Sequence, residues 1–111
     1  MRIDIISAVP QHLESPLGYS IVQRAKDKGL VEIAIHDLRE YGKGNYHQID
    51  DYSYGGDSGM VMMIEPIYTL ISKLKKERDY DEIIYMSPDG KLMDQLLANK
   101  LSCLNNIIIL C

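Results

Sequence analysis

Residues 81–110 read DEIIYMSPDGKLMDQLLANKLSCLNNIIIL, and this run decides the fold. Asp81–Met86 is a β-branched run of strand length. Ser87-Pro88-Asp89-Gly90 follows as a turn, because proline presets φ, aspartate bonds its own backbone and glycine tolerates unusual φ. Met93, Leu96, Leu97, Leu101 and Leu104 then recur at helical spacing. Asn105-Asn106 breaks that helix. Ile107–Leu110 is a second strand with no polar alternation, the mark of a strand buried on both faces. Strand, turn, helix and strand in this order make a βαβ unit with parallel strands.

The same alternation continues outward toward the N-terminus. Ile3–Val9 reads as a buried strand that Pro10 ends. Ser15-Pro16 reads as an N-cap followed by proline at the first helical position. Leu17, Ile21, Val22 and Ala25 form one helical face, and Gly29 is the stop. Leu30–His36 alternates as a strand. After Asp37 the regular pattern lapses until Glu65-Pro66, a second proline at a helix start, from which Ile67, Leu70, Ile71 and Leu74 mark the helix. Lys73, Lys75, Lys76 and Arg78 load its end, where cations suit the helix dipole. The plain reading of these cations is a solvated helix end, and the sharper one is a surface touching RNA. The fold class is therefore α/β, one domain over 1–111, with a parallel sheet and βαβ crossovers.

Composition narrows the function classes. The 111 residues carry a net charge of −4, which disfavours broad electrostatic attraction to nucleic acid. Trp and Phe are absent and the aromatic load is eight tyrosines, so the core is aliphatic. Cys103 and Cys111 have no metal or disulfide-framework spacing. His12, His36 and His47 are too scattered for a metal site, and no metal is expected. The N-terminus has an early Asp4 and no apolar core of signal-peptide type, and no window spans a membrane. A central-looking apolar strand at the end of a chain lacks the covering element that the pattern predicts. The 111 residues therefore read as part of a longer protein, or as a minimal domain that dimerises to cover its open face.

Ligands of parallel sheets sit beyond the carboxyl ends of the strands. Two informative loops, Asp37–Met60 and Ser87–Gly90, follow strands on that edge. The first contains HQIDDYSYGGDSGMVMMIEP at 47–66. A long irregular connection inside a small domain is usually functional. Asp50-Asp51 could act as a base or orient a partner, or simply shape a turn. Gly55, Gly56 and Gly59 permit close backbone approach to a ligand, but match neither the dinucleotide fingerprint nor a P-loop. Ser87–Gly90 could present backbone groups to an adenosine, or be a plain turn.

Taken together, these stretches resemble the bacterial tRNA (guanine-N1)-methyltransferase family of the SPOUT superfamily. MRIDIIS, PLGYSIVQRAKDKGLVEIAIHDLREY, the 47–66 run, IIYMSPDGK and IIILC carry the resemblance in order along the whole chain. It implies methyl transfer from S-adenosylmethionine to N1 of the guanosine 3′ of the anticodon in tRNA, by a cytoplasmic homodimer with a trefoil-knotted sheet. It implies that Tyr85, Met86, Ser87, Pro88 and Gly90 line the adenosyl pocket. Gly55, Gly56, Ser58, Gly59 and Met60 would approach the guanine, with Asp50 and Asp51 organising that loop. It puts the general base Asp, its partner Arg and the knot-closing segment beyond Cys111, so the chain alone is expected to be inactive. Asp57, Gln48 and Ser53 depart from the family pattern. With five acidic and two basic residues between Asp37 and Met60, cations from a partner subunit would be needed to hold RNA. The competing readings are a non-catalytic nucleotide-binding or dimerisation domain and a flavodoxin-like nucleotide binder; the latter lacks a phosphate-cradling loop.

Overall fold

The computed structural model describes residues 1–42, 50–52, 60–62, 64–87 and 90–111, with the backbone alone at 50–52 and 60–62. The elements run β1 (Arg2–Ser7), α1 (Gln11–Leu17), α2 (Ser20–Asp27), β2 (Glu32–Asp37), a 3₁₀ turn (Leu38–Tyr41), β3 (Asp50–Tyr52), β4 (Met60–Met62), α3 (Ile64–Glu77), β5 (Glu82–Tyr85), α4 (Gln95–Ser102) and β6 (Asn106–Leu110). Four strands form one parallel sheet in the order β2-β1-β6-β5. The expected α/β class with a parallel sheet is what the chain adopts.

The inner strands explain the unalternating sequence. In β6, Ile108 and Leu110 are buried on one face and Ile107 on the other. Ile6 of β1 joins Ile108 and Leu110 in the main core, which Leu70 and Leu74 of α3 and Leu38 of the 3₁₀ turn complete. Burying each such side chain stabilises the fold by about 1.5–3 kcal/mol before entropy is counted. Ile83 of β5 is aligned with Ile108, yet it is 39 % exposed. The helix α3 thus leaves the outer β5 edge open.

Several boundaries differ from the sequence reading, each for a local reason. β1 stops at Ser7 because its Oγ accepts a hydrogen bond from the Val9 amide at 3.1 Å, which turns the chain. Ser15-Pro16 does not start the long helix; Pro16 lies inside the last turn of the short α1. Gly18 closes that helix so tightly that a Cβ there would lie 2.8 Å from the Glu14 carbonyl oxygen. The next helix begins only at Ser20. Gly29 is the stop expected of it: at φ +72° it completes a Schellman closure, with Gly29 N donating to Lys26 O and Leu30 N to Ala25 O, both at 3.0 Å. That closure consumes Leu30, so β2 starts at Glu32. α3 starts at Ile64 and buries Pro66 in its first turn, where a missing amide costs little.

The connection expected to be irregular contains structure. Leu38–Tyr41 forms a 3₁₀ turn capped by Asp37, whose Oδ1 accepts from the Arg39 amide at 2.9 Å. Asp50–Tyr52 pairs antiparallel with Met60–Met62 in a two-stranded ladder. Three-residue strands are too short for an alternation signal, so periodicity does not reveal them. Among the described residues no helix is long and apolar enough to cross a membrane.

Candidate functional site at the carboxyl edge

All four strands of the main sheet point the same way, so β2 and β5 both deliver their following segments to one edge. At β5 the ladder runs one residue past the strand, with the Met86 amide donating to Leu110 O at 3.0 Å. The chain then turns: the Gly90 amide donates to Ser87 O at 3.2 Å. A Cβ on Gly90 would sit 3.3 Å from that same oxygen, so a larger residue is crowded there. The bond from Gly90 to Ser87 ties together the two described ends of the Ser87–Gly90 stretch.

That turn also borders a cleft of about 660 Å³. Its lining includes Tyr85, Met86, Ser87 and Gly90, four of the five residues expected at an adenosyl pocket. The fifth, Pro88, lies outside the described residues. The volume falls within the roughly 300–1,000 Å³ of small-molecule sites. Tyr85 is 68 % exposed and Met86 54 %, so both lining residues keep surface free. An aromatic ring and a thioether both suit the flat face of a nucleobase.

The rest of the cleft lining is not among the residues expected there. Leu92 and Met93 belong to it, together with Leu97 and Leu101 of α4. The sequence reading put Met93 in a helix. The helix instead begins at Gln95, where the Asp94 carboxylate accepts from the Leu97 amide at 2.8 Å and caps it. Met93 is thereby left in the extended approach to α4, open to the cleft. The signal was available, since an aspartate immediately before a helical run is an N-cap pattern.

The second expected wall is only partly in view. Asp50, Asp51 and Met60 occupy the β3–β4 ladder, where Asp50 is opposite Met62, Asp51 opposite Val61 and Tyr52 opposite Met60. Gly55, Gly56, Ser58 and Gly59 lie outside the described residues, as do Gln48, Ser53 and Asp57. In chain order the ladder lies between the 3₁₀ turn and α3. That turn is anchored to α3: Lys73 Nζ donates to Tyr41 Oη at 3.1 Å and lies 5.8 Å from the ring centroid. The hydrogen bond to Tyr41 holds the Lys73 pKa above its ordinary value. Lys73 is itself exposed. Lys75 and Lys76 remain exposed in the last turn.

The family model described as tRNA (Guanine-1)-methyltransferase TrmD matches residues 1–111. Proteins described as tRNA (guanine-N(1)-)-methyltransferase match over the full chain, at 62 % identity from Christiangramia forsetii and 58 % from Flavobacterium johnsoniae. The chain spans about half the length of these curated relatives, 49 % in both cases. A crystal structure of a tRNA (m1G37) methyltransferase from Aquifex aeolicus superposes with a TM-score of 0.89 at 34 % identity, covering 100 % of this chain and 50 % of that one. With the family model matching from end to end and relatives this similar, the chain belongs to the tRNA (guanine-N1)-methyltransferase family.

Proposed function

We propose that this chain supplies two walls of a site that moves a methyl group from S-adenosylmethionine to N1 of the guanosine 3′ of the anticodon in tRNA. The observation that carries the reading is the cleft at the end of β5, in a chain that belongs to this family. Tyr85, Met86, Ser87, Pro88 and Gly90 hold the adenosyl part of the donor. Asp50, Asp51, Gly55, Gly56, Ser58, Gly59 and Met60 form the wall toward the target base.

The chemistry explains why two walls are not enough. Guanine N1 carries a proton at neutral pH, so a base must accept it as the N1–carbon bond forms and the sulfur–carbon bond breaks. Charge developing at O6 calls for a donor such as Arg. The rest of the barrier is alignment of nitrogen, carbon and sulfur, which rigid walls provide. We place the base and the arginine outside these 111 residues, in a homodimer of a longer, cytoplasmic, SPOUT-type enzyme. The isolated chain is then inactive.

Methylation of unmodified tRNA by the isolated chain and by the full-length gene product tests this. Turnover is expected from the second alone. Turnover by the chain alone overturns the assignment of the base, and none from either overturns the function. A second reading, a nucleotide-binding or dimerising domain without catalysis, is favoured by the exposed apolar residues Ile83 and Leu92 at the β5 cleft. It requires S-adenosylhomocysteine binding in calorimetry, or self-association in sedimentation, with no methyl transfer by the full-length gene product.

A further inference from the structure

One buried group has no part in the site just described. Asp4, in the inner strand β1, is fully buried, and its carboxylate accepts from three side chains. Arg2 Nη2 reaches Oδ1 at 3.0 Å and Arg2 Nε reaches Oδ2 at 3.2 Å. His36 Nε2 lies 2.8 Å from Oδ1. Tyr80 Oη donates to Oδ2 at 2.6 Å. An ionised carboxylate only accepts, so His36 carries its proton on Nε2. The other charges at the cluster are Arg78, which acts on Tyr80, and Glu32, which pairs with Arg2.

The partners come from different places in the fold. His36 belongs to β2 and Tyr80 leads into β5, and these are the two outer strands of the sheet. An outer strand has a single backbone ladder to hold its register, so a side-chain pin carries more weight there. β2 runs on into the 3₁₀ turn. β5 ends at Tyr85, roughly 17 Å along an extended strand from Tyr80, at the cleft wall. We propose that Asp4 is a positioning residue, one buried carboxylate that holds β2 through His36 and β5 through Tyr80 in the register that sets the 3₁₀ turn after β2 and the cleft wall after β5. The inference rests on the proposed function for what the cleft wall does, and on the described geometry alone for the pinning.

The test uses the full-length gene product and reads amide hydrogen exchange at two places. Met86 and Gly90 report the β5 end, and Arg39 and Gly42 report the β2 end. Tyr80→Phe is expected to speed exchange at Met86 and Gly90 about tenfold while leaving Arg39 and Gly42 within about twofold. His36→Phe is expected to do the reverse, and Asp4→Asn to speed both. His36→Gln, whose amide nitrogen can replace Nε2, is expected to restore Arg39 and Gly42. Uniform acceleration in all variants, or none, overturns the proposal, since a merely structural contact would move both ends together. Should Asp4→Asn fail to fold, the two single-partner variants decide. Calorimetry with S-adenosylhomocysteine adds the functional arm: Tyr80→Phe is expected to weaken binding about fivefold and His36→Phe to leave it unchanged. If the unsubstituted protein does not bind S-adenosylhomocysteine, the donor-site reading falls, while the exchange pattern still decides the pinning.

Discussion

Tyr80 leads into β5 and Tyr85 ends it, yet the first places its hydroxyl 2.6 Å from a fully buried carboxylate while the second is 68 % exposed at the cleft. Burial, and then the hydrogen bond to Asp4, push the Tyr80 phenol well above its ordinary pKa. The pairs of isoleucines tell the same story. Ile108 is sealed in the core, while Ile83, its neighbour across the ladder, keeps 39 % of its surface. The same residue types hold the fold in the centre of the sheet and stand open at its β5 edge. The difference lies in whether a helix covers them, and it separates the sealed part of the sheet from the open part.

The largest expected effect tests the centre directly. Ile108→Ala should cost about 3–4 kcal/mol in denaturant unfolding, against less than about 1 kcal/mol for Ile83→Ala. Equal losses would mean that the β5 edge is covered in solution. Asp4→Asn should cost about 2–3 kcal/mol near neutral pH, because it removes the charge that the hydrogen bonds from three side chains share. Burial alone would raise the Asp4 pKa, but the bonds from Arg2, Tyr80 and His36 outweigh it and hold it below 3.8. A carboxyl group that is more acidic when folded adds stability above its unfolded pKa and loses it as pH falls through the folded value. The gap between wild type and Asp4→Asn should therefore be complete above about pH 5 and close on acidification. A gap that widens on acidification would show the wrong protonation state.

At the open edge the expectation inverts. Tyr85→Ala should leave unfolding within about 0.5 kcal/mol but weaken S-adenosylhomocysteine about tenfold in calorimetry of the full-length protein. A large stability loss without a binding change would place Tyr85 with Tyr80 instead. The smallest expected effect is Asp94→Ala, at about 1 kcal/mol for a lost helix cap. It also tests whether the cap sets the approach that exposes Met93, because binding should weaken along with stability.

Elements with a strong local cause were legible from the sequence. Gly29 as a helix stop, the helix through Leu70 and Leu74, and the doubly buried Ile107–Leu110 strand all follow from residue type and spacing. Misread boundaries arose where two local signals competed. Ser15-Pro16 carries a helix-start pattern, yet Pro10 and the Ser7 hydroxyl start a turn earlier. The Asp50–Tyr52 and Met60–Met62 ladder had no periodicity to betray it.

By itself, the amino-acid order determined the alternation of strands and helices, hence parallel strands whose following loops share one edge, because crossovers in one direction leave no other arrangement. It also carried the family motifs at 47–66 and 83–91. Only the tertiary structure decided which strands became inner and outer, that Leu92 and Met93 would line the cleft, and that Arg2, Asp4, His36 and Tyr80 would meet. Those outcomes depend on contacts between residues 32 and 76 positions apart, as for His36 and Tyr80 with Asp4. No local propensity encodes such a meeting; it follows when burial leaves a carboxylate no other way to satisfy its oxygens.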